Sequence, residues 1–115
     1  MRYGQEGLDT AGCWADFDVD LRIQGNKGTI TQTITSIGIC GMWGEASVIG
    51  KTSTLDIQDV RDDGTTITFS LSVDPAEKFT MTRDSGHLTG RRYRHYQEGE
   101  LMVNLEGTLD LVPAP

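Results

Sequence analysis

Apolar and polar residues alternate with a period of two along most of the chain, and no long stretch carries the 3.6-residue period of a helix. Phe17, Val19, Leu21 and Ile23 interleave with Asp16, Asp18, Asp20 and Arg22. Ile67, Phe69, Leu71 and Val73 stand among threonines and serines, and Leu101, Val103, Leu105, Leu109 and Leu111 form a third row. Each such segment is constrained to a strand with one buried and one wet face. Turn signals separate the rows at Gly25-Asn-Lys-Gly28, Asp62-Asp-Gly64, Asp74-Pro-Ala-Glu77, Asp84-Ser-Gly86 and Gln97-Glu-Gly99.

The pattern predicts strands at roughly 14–24, 28–39, 45–50, 53–60, 65–73, 78–84, 87–96 and 100–112. Consecutive antiparallel strands joined by short turns form a meander, and closure into a barrel removes the exposed edges. The expected fold is therefore all-β, a small antiparallel up-and-down barrel of about eight strands over residues 1–115, with a two-sheet sandwich as its competitor. A length of 115 residues suits one core and no second domain.

With 37% hydrophobic and 23% charged residues, the composition is that of a globular chain. No apolar run of about 18 residues is present to form a membrane-spanning helix. The first dozen residues lack the apolar core of a secretory signal, so a cytoplasmic location and no membrane partner are expected. A formal charge of −7 argues against nucleic acid as a partner, because that affinity needs clustered cations. The charge is nonetheless uneven. Residues 83–96 hold four arginines against one aspartate, a charge of +3 that leaves −10 elsewhere, together with both histidines.

Turn length fixes which face these cations occupy, since a slip of one residue moves every side chain to the other side of the sheet. Three-residue loops at Asp84-Ser-Gly86 and Gln97-Glu-Gly99 pair Phe79 with Arg91 and Tyr93 with Val103. His87, Thr89, Arg91, Tyr93 and His95 then face inward with Arg83 beside them, while Arg92, Arg94 and Tyr96 face out. A two-residue last loop reverses the set and turns Arg94 and Tyr96 inward. A buried arginine needs a carboxylate, water or an anionic ligand, and Glu77, near Tyr93 in the hairpin, is one candidate. The candidate ligand-binding residues are thus Arg91, Tyr93, Arg83, His95 and Glu77. The plainer alternative makes 87–96 an edge strand whose charges block pairing with other sheets.

Other constellations carry less chemistry. Asp16, Asp18 and Asp20 lie on the outer face of a strand, and Leu21 stands where a calcium loop needs glycine. His87 and His95 are about 26 Å apart along one strand, too far to share a metal. No metal and no cofactor are therefore expected, and no catalytic residue is assigned. A two-residue turn at Asn26-Lys27 places Cys13 opposite Cys40 as core thiols, reduced or bridged. The same register sets Trp14, Ile37 and Ile39 together on the outside, a candidate homo-oligomer contact.

Gly12-Cys-Trp14 at the start of the first strand, the eight-strand meander and Arg91-x-Tyr93 near the end resemble the calycin barrels, the lipocalins and intracellular fatty-acid-binding proteins. The resemblance implies a small apolar acid inside the barrel, its carboxylate gripped by Arg91 and Tyr93. Two readings of different class follow. One is a binding protein for a small anionic or amphipathic ligand; the other is an interaction or assembly module without a cavity. An enzyme using His95 and Glu77 as acid and base stands in reserve.

Overall fold

The computed structural model describes residues 1–5, 14–39, 46–98 and 101–112. These form a closed antiparallel barrel of eight strands: β1 (Arg2–Gln5), β2 (Trp14–Gln24), β3 (Lys27–Ile37), β4 (Thr52–Asp62), β5 (Thr66–Leu71), β6 (Lys78–Asp84), β7 (His87–Glu98) and β8 (Leu101–Leu111). Each strand pairs with the next, and β8 returns to β1. The expected up-and-down barrel is the fold observed, and no helix among the described residues is long and apolar enough to cross a membrane.

Its eight strands are not the eight expected. The segment expected as a strand at 45–50 forms, in its described residues, a 3-10 turn at Ala46–Val48, followed by Gly50 in the left-handed region (φ 93°). Its apolar alternation is too short to outweigh that glycine, and the Gly50 amide instead bonds the Ile34 carbonyl at 2.7 Å. The closing strand is β1, four residues with no alternation to announce it. Tyr3 pairs with Ala15 on one side and Gly107 on the other, completing the ring.

Three turns shift the expected register. At the β2–β3 hairpin the turn is Gly25-Asn26, with Gly25 at φ 66°, so Leu21 faces Ile30 and Val19 faces Gln32. A bulge at Asp16/Phe17 then places Ile37 opposite Ala15. At β6–β7 the turn holds two residues, Ser85 and Gly86, both left-handed at φ 51° and 83°. That is the mirror-image turn whose twist matches a hairpin. Phe79 consequently faces Arg92, not Arg91. The β7–β8 loop also holds two residues, pairing Glu98 with Leu101 and Arg92 with Gly107.

Eight strands enclose an interior just wide enough for side chains to fill. One buried cluster includes Ile30, Ile57, Phe69, Phe79 and Met81, with the Phe69 and Phe79 rings stacked at 4.6 Å. A second gathers Tyr3, Ala15, Phe17 and Leu105.

Candidate functional site

The corrected register divides the expected ligand-binding set between the two faces of the sheet. Arg91 and His95 lie on the outer face and are exposed, with Tyr93 half-buried between them. Arg91 pairs with Glu106, and its guanidinium sits 5.4 Å from the centre of the Tyr93 ring. His95 Nε2 is 3.5 Å from the same Glu106, and the two rings lie 5.6 Å apart. Glu77 is buried inside, so it does not meet His95 and the acid–base pair is not assembled. The alternative register, with Arg94 turned inward, describes β7 better. The Tyr96 side chain lies outside the described residues.

The interior instead receives Arg92, which is 5% exposed. Its Nε donates to Glu77 Oε2 at 2.8 Å and its Nη1 to Gln32 Oε1 at 2.6 Å. The Tyr3 hydroxyl lies 2.9 Å from each Glu77 oxygen, and the Arg92 guanidinium stacks 4.4 Å from the Tyr3 ring centre. Burial, and next the negative charge of Glu77, push the Tyr3 hydroxyl well above the usual phenol range. Charge, forked donors and the aromatic face together meet the requirement that a buried cation be compensated. Arg94, a quarter exposed, donates from Nε to Asp74 Oδ2 at 2.6 Å.

Local chemistry delivers these groups. Asp74-Pro-Ala-Glu77 is a turn in which the Asp74 carboxylate accepts the Ala76 amide at 3.2 Å and the Glu77 amide bonds the Asp74 carbonyl at 3.0 Å. The turn tips Glu77 into the barrel just before β6 begins. Gly107 separates Tyr3 from Arg92 along the ladder. A Cβ there would stand 2.5 Å from the Arg2 carbonyl oxygen and 3.1 Å from the Tyr3 ring, so only glycine lets that ring cross to the arginine. Gln32 had one sequence signal, a polar residue between Ile30 and Ile34 on an apolar row. Tyr3 had none, because β1 is too short to show a period.

At the barrel's other end is an open cup of about 690 Å³. Its wall is Val19, Leu21, Ile67, Leu88 and Leu111, and its rim includes Arg83, His87, Asp20 and Asp110. Arg83 is the member of the expected set that lines this cavity. It forks onto Asp62 at 2.6 and 2.7 Å, which, with the Gly64 amide, holds the Asp62 carboxyl down to about 2. His87 Nδ1 lies 2.6 Å from Asp110 Oδ1.

The remaining expectations sort as follows. Asp16 bonds Arg2 and Ser36, and Asp20 pairs with Arg22; the described residues contain no group of three metal-ligating side chains. Cys13 and Cys40 lie outside the described residues. Trp14 is capped by Arg2 at 3.7 Å, Ile37 packs against the inner Tyr3 cluster, and Ile39 is 94% exposed. The bulge at Asp16/Phe17 turned Ile37 inward, so the expected outer patch of three is not formed. Comparison with protein-family models, curated proteins and solved structures finds no match for this chain.

Proposed function

We propose that the protein is a non-enzymatic binding module that holds a small amphipathic ligand in the cup at the barrel mouth. The observation that carries this reading is the cup itself, about 690 Å³ of apolar wall with charged groups confined to the rim. That volume and that division of polarity fit ligand sites, where apolar contact gives affinity and a few polar groups fix orientation. Among the described residues the rest of the interior holds aromatic rings, aliphatic side chains and the Arg92–Glu77 pair, and a ligand's apolar part goes to the cup. Its polar end meets Arg83 and His87. Because both already have a carboxylate neighbour, the rim suits a head group that brings a donor for Asp20 and Asp110 as well as an acceptor for Arg83 and His87, a zwitterion or a protonated weak acid.

The test pairs native and denatured mass spectra of the purified protein with titration of the amphipathic dye anilinonaphthalene sulfonate. Mass retained only under native conditions, or saturable dye binding displaced by an amphipathic acid, is the expected result. Leu88→Trp, which fills the cup, should abolish dye binding while the melting midpoint holds. Arg83→Gln should weaken it about tenfold, the worth of one charged hydrogen bond. A bare multimer with no dye site would overturn the reading in favour of assembly.

A further inference from the structure

A second concavity, of about 310 Å³, lies on the outer face where β4, β5, β6 and β7 run side by side. Its floor is β5, with Thr68 and Ser70 pointing out. Arg61 on β4 faces Thr68, and Lys78 on β6 faces Ser70. The two cations therefore stand on opposite banks about 12 Å apart, two strand spacings across and two residues along, and their long side chains can reach one small anion over the floor. Among the described residues, neither Arg61 nor Lys78 has an ion-pair partner. Tyr93, across from Lys78, supplies a half-buried ring as the end wall.

Two features mark the groove as a site and not only a solvated face. Ser70 is 5% exposed, yet its hydroxyl bonds no described residue, a costly arrangement for a buried polar group unless something else enters to meet it. The β4 bank is also bulged: three steps from Gln58 to Arg61 oppose two from Ser70 to Thr68, and Asp59 within the bulge is left-handed at φ 54°. Bulges re-aim side chains, and strain in a non-glycine residue persists where the surroundings hold it. Here the bulge sets Arg61 on the bank of the groove. Asp59 also lines the groove and opposes an anion there.

From these positions we infer that the groove binds a phosphomonoester of mononucleotide size, its phosphate between Arg61 and Lys78 with Ser70 as a hydroxyl donor, and its flat ring against Tyr93. Paired cations with hydroxyl donors suit a tetrahedral oxyanion, and aromatic faces accept stacked rings. This site is separate from the cup and stands or falls without it.

The test titrates the isotopically labelled protein with adenosine monophosphate, adenosine and inorganic phosphate, following backbone amide shifts. Adenosine monophosphate should shift amides of β4–β7 around residues 59–61, 68–70, 78–80 and 93. Inorganic phosphate should bind more weakly at the same cations, and adenosine weakest. Arg61→Gln and Lys78→Gln should each weaken binding of adenosine monophosphate about ten- to a hundredfold. Asp59→Asn should strengthen it. Ser70→Ala should weaken it about two- to tenfold while leaving the melting midpoint unchanged or higher, as removal of an unbonded buried hydroxyl should. No shift at millimolar adenosine monophosphate, shifts confined to the cup, or binding indifferent to Arg61→Gln and Lys78→Gln would each overturn the inference.

Discussion

Arg92 carries its charge where charge is hardest to keep, 5% exposed between the stacked aromatic core and Tyr3. Its position is tolerable because Glu77, Gln32 and the Tyr3 ring meet it from three sides. A buried pair of this kind is strongly sensitive to losing one member, because the other is then an uncompensated charge, but is only weakly better than apolar residues of the same size. Arg92→Leu should therefore lower unfolding stability by about 3–5 kcal/mol, and Glu77→Met by a similar amount. The double variant should recover most of that loss, which urea unfolding of all four proteins measures. Losses that simply add would mean that the two side chains act separately. The sequence made the need for compensation legible before the arginine's identity: Glu77 was one candidate partner for Arg91, beside water or an anionic ligand, and it pairs with the neighbouring Arg92.

That displacement by one residue belongs to the turns. The alternation of Phe79, Met81 and the β8 leucines marks those strands and their apolar faces, and the short hairpins mark a meander that either a barrel or a two-sheet sandwich accommodates. Asp84-Ser-Gly86, however, is compatible with a three-residue loop whose glycine alone is left-handed and with a two-residue turn in which Ser85 is left-handed too. The strand sequences do not choose, because β7 has polar residues on both faces: Arg91, Tyr93 and His95 on one, Arg92 and Arg94 on the other. Where neither face is apolar, register is set by tertiary contacts such as Glu77 and Tyr3, which lie far off in sequence. A left-handed serine costs backbone energy that asparagine largely avoids. Ser85→Asn should thus raise stability by up to about 1 kcal/mol, and Ser85→Val should lower it by about 1–2 kcal/mol. A valine variant as stable as the parent would show that the turn does not impose this register.

The whole barrel closes through β1, which is held by three paired residues on each side, by reciprocal backbone bonds between Met1 and Phe17, by the Arg2–Asp16 pair and by the ring of Tyr3. Without it, β2 and β8 would present open edges, and the Arg92–Glu77 pair would lose the aromatic cover that keeps water away. Closure is therefore tied to the protonation of one phenol. In the closed barrel the neutral Tyr3 hydroxyl bonds Glu77, and a phenolate there would meet a carboxylate in a buried site, so its titration is pushed up. In the unfolded chain the same group titrates near the ordinary value of about 10. A group raised in the folded state gives its full stabilisation below the unfolded value and loses it as pH rises beyond. Tyr3→Phe should accordingly cost about 1–3 kcal/mol at neutral pH, where it leaves Glu77 one donor short. That gap should narrow steadily above about pH 10, where only the parent has the Tyr3 phenol to ionise on opening. Unfolding followed with tyrosinate absorbance at 295 nm, for parent and variant from pH 7 to 12, measures both arms. Parallel stability profiles across that range would mean that the barrel closes independently of the Tyr3 proton.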